Sequence, residues 1–241
     1  VILSKLLYKG LLTIPERILV NSRYTLRALK YTLAVYKCCY DVLGRTSILH
    51  PPLPRARDYL RVRSSSRLPC VVTIGRFSSE KNYELVLEVA RLMPDTMFIV
   101  AGGVYSRTNR EYYLKIKRGA PRNVKVLANI PHGLKLELLS RCTAYLHTMI
   151  GEHFGIAPLE ALAAGATPVV PEFSGTWTDV CLEGEYCYGY KRGDPREVAE
   201  AVSRALEKPK VAPVEHVEKF APEKFMKEMV RVVEELATPP S

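Results

Sequence analysis

Hydrophobic residues along this chain fall into short runs that alternate with stretches of helical periodicity. From about residue 69 the alternation is regular. "CVVTIG" reads as a buried strand, and Leu85, Val86, Val89, Leu92 and Met93 after it recur at helical spacing. "TMFIVAGG" is the next strand, followed by a helix through 112–117. "NVKVLANI" is the third, followed by a helix carrying Leu134, Leu138 and Leu139. "TAYLHT", a helix at 157–164, "ATPVVPEF" and a sixth run, "EYCYGY", continue the series. Asp194, Pro195 and Glu197 then combine an N-cap, a proline at the first helical position and a glutamate three residues after the cap, which opens another helix. Apolar strands alternating with helices predict an α/β fold, a Rossmann-like parallel sheet with helices on both faces. Ligands of such sheets bind beyond the carboxyl ends of the strands, so function is expected in the loops there.

A shorter block precedes this series. "RILVNS" reads as a strand, a helix capped by Asn21 or Ser22 runs to about residue 39, and "SILHPP" is a strand that Pro51 and Pro52 terminate. Residues 1–50 cannot close a core alone and are expected to be the remnant of an N-terminal domain. Residues 51–69 include "RARDYLRVRSSSR", five arginines against Asp58. They read as a basic, solvated Pro/Arg-rich linker, with an anionic surface partner as the other reading. The second block spans 70–221. A last helix within 222–241 places Phe225, Met229, Val233 and Leu236 on one face and is expected to pack back toward the first block. The chain starts without methionine and reads as a piece of something longer.

At 241 residues and 47% apolar composition the chain can bury a full core, and no run of eighteen apolar residues predicts a membrane span. The first residues mix Lys5, Lys9, Glu16 and Arg17 among apolar ones and lack a small-residue cleavage site, so they do not read as a signal peptide. The net charge of +10 implies affinity for anions: nucleic acid, anionic lipid or phosphorylated small molecules. No RNP, KH or zinc-finger pattern accompanies the charge, which argues against nucleic acid. Cys38, Cys39, Cys70, Cys142, Cys181 and Cys187 contain no CxxC pair, and their spacing suggests reduced thiols in a cytosolic protein rather than a zinc site or a disulfide scaffold.

Three strand-end loops carry chemistry. In "GRFSSEKN", Gly75 permits a tight turn, Arg76 offers a planar fork and Lys81 a point charge near the next helix, a set suited to a diphosphate. "YLHTMIGEHFGIAPLE" turns from a strand into a helix, so the amides of Phe154, Gly155 and Ile156 would point out of a helix N-terminus. Glu160 is placed in the first helical turn and Glu152 across the loop. Two carboxylates so separated suit hydrogen bonds from sugar hydroxyls better than a shared proton. His147 and His153 read as a strand-end and a loop histidine. In "PEFSGTWTDV", Ser174 and Gly175 form a turn, and Trp177 either stacks on a ligand or joins the core. A GxxxxGK[ST] loop is absent.

Together these segments resemble retaining GT-B glycosyltransferases of family 4. "GRFSSEKN" is similar to the family's G-R-x-x-x-x-K-N/G segment, "EHFGIAPLE" to its E-x7-E element and "SG" to its S-G-G loop. "VNSRYT" and "LHPP" resemble the end of the N-terminal domain and the crossing into the C-terminal one. The resemblance implies that Arg76 and Lys81 bind the donor diphosphate, that Glu160 holds the ribose, and that Glu152 is the catalytic carboxylate at the sugar's 3- and 4-hydroxyls. Phe154, Gly155 and Ile156 would line the sugar pocket, with Gly75, His153, Ser174 and Gly175 as further contacts. It implies no cofactor beyond the nucleotide-sugar substrate and no metal. "LHTMIGEHFGI" is similar to lipid-linked-oligosaccharide α-1,2-mannosyltransferases, which places GDP-mannose ahead of UDP-hexoses as donor. A lipid-linked glycan acceptor would set the basic surface against anionic headgroups on the cytoplasmic side of a membrane. Two departures stand out. The glycine-rich loop and acceptor site of an N-terminal domain are missing, and the S-G-G loop reads Ser174-Gly175-Thr176 with its acidic residue replaced by Trp177 or delayed to Asp179. The other reading is a non-catalytic nucleotide-sugar-binding or assembly subunit that needs a separate chain.

Overall fold

The computed structural model describes residues 15–37 and 39–237. The first block is one parallel β-α-β unit. β1 (Ile18–Val20) pairs with β2 (Thr46–Ile48) across the crossover helix α1 (Arg23–Tyr36). Ser22 is the residue that caps α1, accepting from the Thr25 amide.

The second block supplies β3 (Leu68–Arg76), β4 (Met97–Gly103), β5 (Val124–Ala128), β6 (Cys142–Leu146), β7 (Thr167–Pro171) and β8 (Tyr188–Tyr190), all parallel, in the spatial order β5-β4-β3-β6-β7-β8. The predicted sixth strand is therefore present. Alternate strand residues enter opposite cores, as a period of two requires. Val71, Phe98, Val100, Ala144, Leu146 and Val169 meet α3 (Tyr83–Leu92), α4 (Arg107–Gly119) and α7 (Pro195–Glu207). Cys70, Val72, Ile99, Tyr145 and Val170 meet α2 (Ala56–Arg61), α5 (His132–Arg141), α6 (Ile156–Ala163) and α8 (Val214–Glu218). Asp194 caps α7 by accepting from the Arg196 and Glu197 amides. The sheet order reverses between β3 and β6, and at their carboxyl ends a crevice opens.

Three expectations are overturned here. Residues 51–69 are not a solvated linker, because α2 lies within them and buries Ala56 and Tyr59. Beyond α2, the Arg63 guanidinium donates to the carbonyls of Ala163, Leu162 and Ala212. Arg67 donates to those of Leu139, Cys142 and Ala164. These arginines occupy the orphan carbonyls at the ends of α5 and α6. Burial lowers both, Arg67 to about 10. The charge run misled because two of its members point inward.

The cysteines are the second correction: Cys70 is bonded to Cys142, and Cys181 to Cys187. Cys70 and Cys142 are 72 residues apart but lie on adjacent strands with Cα atoms 4.8 Å apart, a proximity set by the sheet and invisible in sequence spacing. Disulfides belong to oxidising compartments, so the support that reduced thiols gave to a cytosolic location is removed. Cys38 lies outside the described residues. Third, α6 begins at Ile156, which puts Glu160 past its first turn.

The first block is docked on the second through buried polar contacts. Asp179 accepts from the Arg23 amide with both carboxylate oxygens at 3.1 Å and lies 2.7 Å from His50 Nε2. The final helix, α9 (Pro222–Ala237), reaches the first block where Glu235 pairs with Arg17 at 3.3 Å. Among the described residues no helix is long and apolar enough to cross a membrane.

Candidate functional site

The crevice at the β3–β6 reversal is a groove made of two adjoining cavities, about 370 and 430 Å³, that share Gly75, Arg76, Ala157 and Glu160. The first extends over Gly103, Tyr105, Asn129, His132 and Lys135. The second extends over Lys81, Glu152, Phe154, Gly155 and Ile156, and Asn21 and Pro51 of the first block close its far wall.

Glycine is required at the floor. A Cβ on Gly102 would lie 1.8 Å from the Gly75 carbonyl oxygen, so β3 and β4 approach closely where the loop leaves the sheet. Arg76 has an exposed side chain and is paired with Glu80 at 3.4 Å. Lys81 follows it, its carbonyl fixed by the Thr148 hydroxyl at 2.6 Å and its ammonium 3.5 Å from Glu152 Oε2. Gly155 enters α6 with φ 92°, a conformation glycine adopts freely, and a Cβ there would come 2.0 Å from Thr176 Oγ1. The first amides of α6 have no intrahelical partner, and Gly155, Ile156 and Ala157 line the groove.

The two glutamates are held differently. Glu160 Oε1 accepts from the Tyr59 hydroxyl at 2.7 Å and from Lys135 Nζ at 2.8 Å. Its side chain is only 13% exposed. Burial and the adjacent Glu160 push the Tyr59 phenol well above its ordinary range. Glu152 Oε2 lies 3.5 Å from His147 Nε2. That imidazole, with Lys81 beside it, holds the Glu152 carboxyl down at about 2 against the opposing effect of burial. Burial pushes His147 itself below the usual imidazole range, and its buried Nε2 has no closer hydrogen-bond partner among the described residues.

With this geometry in view, residues 61–224 match the glycosyl transferases group 1 family. The chain belongs to that family.

Among curated group 1 relatives, human "Alpha-1,3/1,6-mannosyltransferase ALG2" is 30% identical over 256 residues, covering 91% of this chain and 58% of the relative. Human "GDP-Man:Man(3)GlcNAc(2)-PP-Dol alpha-1,2-mannosyltransferase" is 26% identical over 209 residues, covering 78% of this chain and 41% of the relative. The chain thus spans about half the length of the curated relatives it matches. A solved glycosyltransferase from Rickettsia africae ESF-5 superposes with a TM-score of 0.75 at 11% identity, covering 93% of this chain and 64% of that one; this shows the shared GT-B fold.

The structure brings Gly75, Arg76, Lys81, Glu152, Phe154, Gly155, Ile156 and Glu160 together, whereas three other candidates face elsewhere. Phe154 lines the second cavity while its ring packs against His50 and Phe220. Ser174 is buried, its hydroxyl donating to the Pro171 carbonyl and accepting from the Trp177 amide. Gly175 donates its amide to the Glu152 carbonyl at 2.7 Å, so it braces the loop from behind. His153 turns to the first block, with Nδ1 2.9 Å from Thr25 Oγ1. Asp179, weighed as a delayed donor-loop acid, is instead the anchor of the first block. Sequence reasoning missed Lys135 and Tyr59. Lys135 occupies an ordinary polar position of an amphipathic helix and carries no signal. Tyr59 did carry one, as an aromatic inside a supposed linker.

Proposed function

We propose that this chain is the donor-binding half of a retaining glycosyltransferase that moves mannose from GDP-mannose to a lipid-linked glycan. The observation that carries the reading is the continuous groove over the β3–β6 reversal, with Arg76 and the fixed Glu160 where its two cavities meet and Lys81 beside Glu152 in the second. The names of the curated mannosyltransferase relatives support the sugar and the acceptor class.

In this reading the base lies in the cavity over Gly103 and Tyr105, and the ribose hydroxyls donate to Glu160. Arg76, Lys81 and the first amides of α6 surround the diphosphate. They supply fixed positive charge where the departing group gains negative charge, the largest electrostatic contribution such a site can make. The sugar lies beside Glu152. A carboxyl held at about 2 is ionised at neutral pH, so Glu152 accepts hydrogen bonds from sugar hydroxyls and does not act as a general acid. The C1–O bond breaks with its electron pair on the diphosphate. The acceptor hydroxyl oxygen then bonds C1, and its proton passes to the departing diphosphate. A lipid-linked acceptor sets this chemistry at a membrane face with anionic headgroups near the basic surface; salt-sensitive co-sedimentation with anionic vesicles checks that part.

Calorimetric titration with GDP, UDP, GDP-mannose and UDP-glucose tests the donor. Binding of GDP and GDP-mannose ahead of the uridine nucleotides is expected. Preference for UDP would change the sugar, and binding of none of the four would overturn the reading.

A further inference from the structure

A third cavity, about 700 Å³, opens between α1 and the loop after β7, and none of the donor residues lines it. Its walls carry four aromatic rings, Tyr24, Tyr31, Phe173 and Trp177, and two carboxylates, Glu172 and Glu183. We propose that this cavity is a glycan-binding subsite that holds the acceptor's distal sugar residues beside the donor groove; the assignment to an acceptor rests on the glycosyltransferase reading.

The first support is chemical. A pyranose ring presents a face of C–H groups and a rim of hydroxyls, so it is matched by an aromatic plane with hydrogen-bond acceptors at its edge. That arrangement is built here. A Cβ on Gly189 would come 2.8 Å from Trp177 Cζ3 and 2.6 Å from Glu172 Cγ, so the bare glycine lets indole and carboxylate lie side by side. The outer rim of the same indole rests on Gly184, where a Cβ would lie 2.8 Å from Cη2. The ring is thereby fixed in orientation before any ligand arrives, which removes part of the ordering cost of binding.

The second support is exposure. Tyr31 and Phe173 are 73% and 66% exposed, unusual for large aromatic rings, and both border this one cavity. The carboxylates are only loosely engaged. Glu183 is 3.5 Å from Arg27 and Glu172 is 4.0 Å from Lys191, with the Arg27, Glu183 and Lys191 side chains more than half exposed. Surface pairs of this kind contribute little and can be exchanged for sugar hydroxyls.

The third support is position. One loop separates the two sites. Glu152 and Gly155 line the donor groove, while His153 between them turns toward α1, its ring 5.7 Å edge-on from Tyr24. The Glu152 carbonyl accepts the Gly175 amide, two residues before Trp177. A glycan lying in this cavity therefore ends next to the sugar end of the groove.

Trp177 is the only tryptophan in the chain, so its fluorescence reports this cavity directly. The experiment is titration of the chain with soluble α-linked mannotriose, with sorbitol as a polyol control, alongside calorimetry with GDP. A saturable fluorescence change with mannotriose is expected, weakened at least about tenfold by Tyr31→Ala with Phe173→Ala while GDP affinity is unchanged. Both rings are exposed, so the double variant keeps the core intact. No change with mannotriose, an equal change with sorbitol, or an unaltered response in the double variant would overturn the subsite. GDP binding without a mannotriose response removes the subsite and leaves the donor reading. A mannotriose response without GDP binding does the reverse.

Discussion

Where the two cavities of the groove meet, Glu160 takes its partners from two helices distant in sequence, Tyr59 of α2 and Lys135 of α5. In the second cavity, Glu152 is held by His147, five residues upstream, and by Lys81 from the loop after β3. Glu160 is thus a product of tertiary packing, and its orientation depends on three helices staying in register. Glu152 is set by the strand-end loops themselves, and its protonation state, more than its position, is what the surroundings control. Removing the first should act on stability and nucleotide affinity together. Removing the second should act on the sugar, and on stability only where its carboxylate is ionised.

The largest effect is expected from Glu160→Ala. It strands a half-buried ammonium and a phenol, costing about 1–3 kcal/mol of stability, and abolishes measurable GDP binding. Thermal melting and calorimetry on the same sample check both halves. Lys135→Met keeps the carboxylate but frees it to swing. It should lower GDP affinity about tenfold, and a variant that binds GDP normally would show that Tyr59 alone positions Glu160.

Glu152→Gln should leave GDP affinity within about twofold but erase any advantage of GDP-mannose over GDP, since in the proposed arrangement only the sugar reaches Glu152. The same variant has a pH signature. The folded carboxyl sits at about 2 against a reference of 4.5, so its stabilisation is complete above 4.5 and is lost as pH falls toward 2. Melting temperatures of parent and variant should therefore converge across that window. The smallest effect is expected from Arg76→Lys, which retains the charge and loses the fork. It should weaken diphosphate binding severalfold, with GDP affected and guanosine not.

The sheet was legible in the sequence because buried parallel strands are near-continuous apolar runs separated by strong turn and cap signals, as Asp194-Pro195 shows. The groove was legible as far as it is built from strand-end loops: Arg76, Lys81, Glu152 and Glu160 lie in short contiguous motifs. What failed was whatever depends on neighbours remote along the chain. Lys135 looks like any surface lysine until α5 is laid beside α6. The Arg63 and Arg67 guanidiniums read as solvated until the carbonyls at the ends of two helices are set around them. Cys70 and Cys142 have no spacing rule to betray them, since a parallel sheet pairs strands across long crossovers. Ser174 and Gly175 failed in the opposite sense: a motif placed them at the donor, whereas the loop uses them to brace Glu152 and Trp177.

Arg67 gives the domain an asymmetry with evolutionary weight. It stands just before β3 and ties the carbonyls that end α5, begin β6 and follow α6, and the Cys70–Cys142 bond lies close by. The edge where the strands begin is thus locked by interactions that tolerate few substitutions. The edge where they end has few fixed points: Gly102 and Gly155, where a Cβ would collide with the Gly75 carbonyl and with Thr176, and Asp179, which holds the first block. Exposed positions between them, such as Arg76 and Tyr105, carry no comparable constraint, so sequence change is expected to concentrate there while the locked edge stays the same.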